Sequence, residues 1–159
     1  MGFTGAGISP TTVSTDQLAP LGFRLTVPTA NDGEQTYTYI KAAVAVAIGQ
    51  AVMKGAGTGA SSGYGACVLA TQAANSPHQY VGCAQVAIAS GSYGFVLTRG
   101  LGTALVATTT AAGADLVIDG VAAGSLDDEA QTVDIHRVGY SPAALAAGTV
   151  SGVFLDFLG

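Results

Sequence analysis

The stretch Tyr80-Val81-Gly82-Cys83-Ala84-Gln85-Val86-Ala87-Ile88-Ala89-Ser90-Gly91-Ser92-Tyr93-Gly94-Phe95-Val96-Leu97-Thr98-Arg99-Gly100 decides the fold class. It reads as two β-strands, 80–88 and 93–98, around the turn Ala89-Ser90-Gly91-Ser92, where a glycine tolerates positive φ. Alternation in the second strand puts Tyr93, Phe95 and Leu97 on one face and Gly94, Val96 and Thr98 on the other. Arg99-Gly100 then leads into a further run, 101–108. The pattern predicts a meander of antiparallel hairpins.

Working outward, the same signals recur. Thr36-Tyr37-Thr38-Tyr39-Ile40-Lys41 is rich in the β-branched and aromatic residues that favour strands. Runs at 50–54, 66–71, 115–118, 132–140 and 149–158 are read likewise, separated by Gly, Ser, Asn and Pro clusters such as Asn75-Ser76-Pro77 and Asp119-Gly120. Segments 42–47 and 142–147 are the two with helical composition, but Val44, Val46 and Ile48 at period two oppose a helix in the first. About nine short strands imply an all-β domain over residues 36–159, a small antiparallel β-barrel or β-tulip, or a sandwich. Ala47-Ile48-Gly49-Gln50-Ala51-Val52 and Ala112-Gly113-Ala114-Asp115-Leu116-Val117 echo one another and suggest equivalent barrel corners.

Residues 1–35 read as an extended N-terminal arm. Gly2, Gly5, Gly7, Pro10, Pro20 and Pro28 punctuate a polar background with scattered apolar residues. Such a segment buries too little to order itself alone and is held by lying on a protein surface. Phe3, Ile8, Leu18, Leu21 and Phe23 are therefore the candidate partner-binding residues.

Only 9% of the residues are charged, against roughly 25% in an ordinary soluble domain. A surface this short of charge suits a subunit packed among neighbours, a homo-oligomer. Arg24, Lys41, Lys54, Arg99 and Arg137 are scattered singly, so no basic patch exists for nucleic acid or an anionic membrane. The longest apolar run, 42–48, is far short of the ~20 residues of a membrane span. Met1-Gly2-Phe3-Thr4-Gly5 lacks a basic start and an apolar core, so a secretory signal is not expected.

Chemistry is sparse. His78 sits in a turn, and His136 lies on a strand two residues from Asp134, a pairing better suited to a solvated or interface-facing strand than to catalysis. Gly91-Ser92-Tyr93-Gly94 lacks the central Ser of a nucleophile elbow, and Gly55-Ala56-Gly57-Thr58-Gly59 lacks the Lys of a phosphate loop. Asp127-Asp128-Glu129 lacks calcium-loop spacing and reads as a solvated turn; Asp115 and Asp119 are expected to face water. Cys67 and Cys83, in apolar strands, read as buried thiols. No enzyme, cofactor or metal site is expected.

The stretch 80–100, followed by Ala112-Gly113-Ala114-Asp115-Leu116-Val117, resembles a pattern of capsid decoration (cement) proteins of tailed bacteriophages. The resemblance is specific only over 80–117 and carries no family-defining polar residue. It implies a β-barrel or β-tulip virion protein, made in the host cytoplasm. Such a protein binds the major capsid protein on the outer capsid surface, as a dimer or trimer, and stabilises the head. Another phage module, a head fibre base or tail component, fits the same pattern. A ligand-binding β-barrel is disfavoured by the scarcity of acid–base residues.

Overall fold

The computed structural model describes residues 8–30, 33–56, 63–72, 79–128 and 137–157. Side chains branched at Cβ crowd a helix but fit a pleated surface, and the runs rich in them become strands. In chain order these are β1 (Arg24–Pro28), β2 (Glu34–Lys41), β3 (Ala51–Gly55), β4 (Gly63–Leu69) and β5 (Tyr80–Ala84), then β6 (Tyr93–Val106), β7 (Asp115–Ile118), β8 (Leu126–Asp128), β9 (Arg137–Tyr140) and β10 (Thr149–Asp156). The all-β expectation holds, and neither helix-like segment forms a helix.

The strands do not pair as a meander. β2 pairs β6, β6 pairs β5, β5 pairs β3 and β3 pairs β4, all antiparallel. A parallel bridge from Ala42, just past β2, to Cys67 in β4 closes this set into a five-stranded barrel. A second ring runs β6–β10–β9–β7–β8 and returns to β6 through the parallel pair Val106↔Leu126. β6 therefore belongs to both barrels. The two strands expected at 93–98 and 101–108 are one, because Gly100 (φ +113) redirects the chain without a loop, and a register shift between Thr36 and Tyr37 lets β2 still pair with Arg99.

The barrels are two copies of one design. β2 maps onto the second half of β6 by adding 64: Lys41↔Tyr93 in the first barrel becomes Leu105↔Val150 in the second. Residues 80–98 map onto 137–155 by adding 57: Cys83↔Leu97 becomes Tyr140↔Phe154. Between strands, each barrel has two matching corners. Val46 and Ile88 exchange both backbone hydrogen bonds across one barrel, Thr110 and Leu145 across the other. Three residues beyond each comes a left-handed glycine: Gly49, Gly91, Gly113 or Gly148 (φ +83, +82, +80, +70). Each glycine donates its N–H to a strand-end carbonyl of the opposite corner, Gly49 to Ala84, Gly91 to Ala42, Gly113 to Ser141 and Gly148 to Val106. Only glycine adopts this φ without strain. The sequence echo at 47–52 and 112–117 is thus a repeat of corners, with Gly49 matching Gly113, one residue off the register its letters suggest.

The interiors match as well. Ile40, Val46, Val52, Cys67, Ile88 and Val96 line the first barrel; their equivalents Ala104, Thr110, Leu116, Leu126, Leu145 and Val153 are all buried. Volume lost at one position (Ile40 to Ala104) is regained at others (Val52 to Leu116, Cys67 to Leu126), as a close-packed core requires. Gly82 and Gly139 are equivalent too: a Cβ there would run into the carbonyl of Leu97 or Phe154 on the neighbouring strand.

The barrels lock together along the second half of β6. Gln85 acts as a surrogate strand: its Oε1 accepts the Thr103 N–H (2.9 Å) and its Nε2 donates to the Thr103 carbonyl (3.0 Å). Leu105 donates to the Gly49 carbonyl (2.8 Å), and Ala51 donates to that of Gly124 (2.7 Å).

Candidate functional site

The outward faces of the two barrels carry the surface chemistry. On the first, alternation along β6 presents Tyr93, Phe95 and Leu97 outward and Val96 inward, as expected, with Tyr37 and Tyr39 of β2 alongside. Tyr39 stacks on Tyr93 (6.1 Å between centroids) and tilts onto Phe95 (4.9 Å).

Residues 8–28 cover this face. Ser14 exchanges two backbone hydrogen bonds with Tyr93 (3.0 and 2.8 Å), adding one rung beyond the end of β5. The Leu18 N–H donates to the Tyr39 hydroxyl (3.0 Å), and Gly22 and Phe23 clamp the Tyr39 backbone. Phe23 meets Phe95 edge-on at 6.5 Å. β1 then pairs β2 from Arg24↔Thr38 to Pro28↔Glu34.

The five candidate residues are thus sorted by environment. Ile8 and Phe23 are partly buried against the chain's own core. Leu18 and Leu21 point to solvent, 46% and 36% exposed, with Val13 on the same covering segment (38%). Phe3 lies outside the described residues. The segment has an inner side holding the fold and an outer side of aliphatic groups anchored at both ends.

The acidic residues differ from expectation. Asp127 is buried in β8, not in a solvated turn; its carboxylate accepts from the Thr108 hydroxyl and the Asp128 N–H. Asp119 is buried also, and its carboxylate accepts the N–H groups of Val121 and Ala122 and the Ser125 hydroxyl (2.9, 2.9 and 3.0 Å). Both brace turns, where a short acceptor side chain substitutes for missing ladder bonds. Asp115 is half exposed and pairs with Arg137 at 2.9 Å.

Among the described residues no three His, Cys, Asp or Glu side chains lie close enough to hold a metal ion. Cys67 and Cys83 are buried and unbridged. Burial pushes the Cys67 thiol up to about 12, slightly offset by Lys54, and raises that of Cys83 also, so neither is a ready nucleophile. His78, Asp134 and His136 lie outside the described residues. No described helix is long and apolar enough to cross a membrane.

The outward face of the second barrel was not legible as a site. Its side chains are Val150, Phe154 and Tyr140, with Gly152 where the first barrel has Phe95. Tyr140 and Phe154 stack at 5.3 Å, and Val150 and Tyr140 are 47% and 44% exposed. The missed signal is the alignment of 80–98 with 137–155, in which six of nineteen positions are identical, among them Gly82/Gly139 and Gly91/Gly148.

No family model and no curated protein matches this sequence. Among solved structures, the head fibre gp8.5 N base of bacteriophage phi29 shares the fold, with a TM-score of 0.54 at 13% identity. The match covers 77% of this chain and 95% of that one.

Proposed function

We propose that this chain is a structural, non-enzymatic component of a tailed-phage head. It binds the outer surface of the major capsid protein lattice and helps hold the shell together. The observation that carries the reading is the likeness to a head fibre base over 95% of that base. The surface supports it. Leu18 and Leu21 are exposed aliphatic groups on an anchored segment of a protein with few charges, so docking desolvates little ionic surface. Many weak copies on one lattice give avidity without a tight single contact, and an extended segment offers backbone pairing to an exposed edge. A head fibre base is the second reading; it differs in carrying a fibre outward instead of clamping neighbours, and the same likeness favours it.

Co-sedimentation with purified capsids of the phage that carries the gene tests both. Saturable binding at a fixed copy number per shell is expected. The double variant Leu18→Asp/Leu21→Asp, altered only at exposed positions, should bind at least about tenfold more weakly, as for loss of a buried apolar anchor. Failure of the unaltered protein to sediment with shells overturns the proposal. Raised resistance of bound shells to heat supports the clamp; unchanged resistance supports the fibre base.

A further inference from the structure

We infer that the outward face of the second barrel, along Val150, Gly152, Phe154 and Tyr140, is docked by residues 2–7 of a second copy of this chain, with Phe3 seated over Gly152. The inference goes beyond capsid binding and does not depend on it.

The first barrel shows what this face takes. There Tyr93 and Phe95 of the equivalent stripe are covered by an extended piece of this same chain, whose Ser14 exchanges two backbone hydrogen bonds with Tyr93 and whose Phe23 meets Phe95. Tyr93 corresponds to Val150. Leu105, opposite Val150, spends its N–H on the Gly49 carbonyl, so the two form a non-hydrogen-bonded pair and the Val150 N–H and C=O point away from β6. On that side the β9–β10 pairing covers only Tyr140↔Phe154 and Gly139↔Leu155, and among the described residues no strand lies beside Val150. Among the described residues, the rung that Ser14 adds to the first barrel has no counterpart on the second.

The side chains are complementary in the same sense. Among the described residues nothing lies within 4 Å of a Cβ built on Gly152, where the first barrel carries a phenylalanine ring. The slot lies between Val150 and Phe154 and takes one apolar ring from outside. Gly2-Phe3-Thr4-Gly5-Ala6-Gly7 supplies one on an uncharged, small-residue backbone that can lie close to a strand. Six extended residues reach about 20 Å, enough for the stripe from 150 to 154, about 13 Å long. Each copy both offers such a segment and presents such a face. The contact is heterologous and repeats from copy to copy until a ring closes.

The test uses the full chain without capsids, so a failure of shell binding leaves it intact. In the antiparallel sense of the Ser14–Tyr93 bridge, Phe3 beside Gly152 puts Gly5 beside Val150, so one preparation carries Gly5→Cys and a second Val150→Cys, both keeping Phe3 and its slot; they are mixed and oxidised, the native thiols being buried. Disulfide-linked dimers containing one of each are expected. Absence of linkage, or a double variant that links only within its own chain, overturns the inference. Independently, Gly152→Phe restores the ring that the first barrel has and fills the slot, and Phe3→Ala removes its occupant. Each should weaken self-association at least about tenfold by sedimentation equilibrium. Association unchanged in either, including association through another face or with another occupant, overturns it.

Discussion

The two barrels share strand order, corners and interior, and part company on their outward faces. The first wears Tyr39, Tyr93 and Phe95 outside and covers them with residues 8–28; the second has Thr103, Val150 and Gly152 at those positions, where Gln85 bonds to Thr103 and, among the described residues, no strand lies beside Val150. Backbone geometry is what the two halves hold in common. The outward side chains are where they differ, because closing the ring of strands constrains the interior and leaves this surface unconstrained. Among the described residues one half is covered by its own chain and the other is not, an arrangement suited to assembly.

The equivalence is broken most severely at Gly82 and Gly139. Each faces a carbonyl one strand away, so a side chain forces the strands apart. Gly82→Val and Gly139→Val should each destabilise by more than about 4 kcal/mol, with soluble expression lost or the urea midpoint sharply reduced. Gly152→Ala, with open space around its Cβ, should stay within about 0.5 kcal/mol of the unaltered protein. A large loss at Gly82 with none at Gly139 would refute the two-copy description.

The difference between the faces is sharpened by a matched pair of aromatic truncations. Phe95 is fully buried among Tyr39 and Phe23, whereas Phe154 is partly exposed and touches Tyr140. Phe95→Ala should cost about 3–5 kcal/mol in chemical denaturation. Phe154→Ala, losing mainly one ring contact on a dilute chain, should cost about 1 kcal/mol. Equal costs would mean that the second face is covered already.

How much of this was legible follows from what each feature needs. Strand identity is local: Thr36-Tyr37-Thr38-Tyr39 and Asp115-Leu116-Val117-Ile118 announce themselves by composition, and β7 falls on the expected residues. Pairing order is not local. Nothing in Tyr93–Val106 says that its first half joins β2 and β5 while its second half joins β10 and β8; that depends on closing two rings at once. Arg24-Leu25-Thr26-Val27-Pro28 was hidden for a related reason, since an edge strand tolerates proline and its alternation is half exposed. Asp119 and Asp127 misled because acidic residues are ordinarily solvated, and only the folded turn shows which N–H and hydroxyl groups need an acceptor. Composition singled out the apolar residues of the N-terminal segment. It could not separate Phe23, turned inward to Phe95, from Leu18 and Leu21, turned outward.

The mildest test concerns an interior position where the copies differ chemically. Cys67 lines the first barrel and Leu126 the second, so only the first has an ionisable group at that point. Burial raises the Cys67 pKa from 9.0 to about 12. Below pH 9 the thiol is protonated in both folded and unfolded chains, and its contribution to stability is fully present. Above 9 the unfolded chain releases the proton while the folded one keeps it, so stability falls by about 1.4 kcal/mol per pH unit until the folded thiol ionises near 12. Cys83, Tyr37 and Tyr80, all raised by burial, add losses of the same sign. Urea midpoints at pH 8, 10 and 11 should therefore decline steeply for the unaltered protein. Cys67→Ala should decline less, by about one proton's worth of slope, whatever constant cost it carries at pH 8. An identical slope in the two proteins would show that the first barrel admits water at Cys67, and that the two interiors are not equally closed.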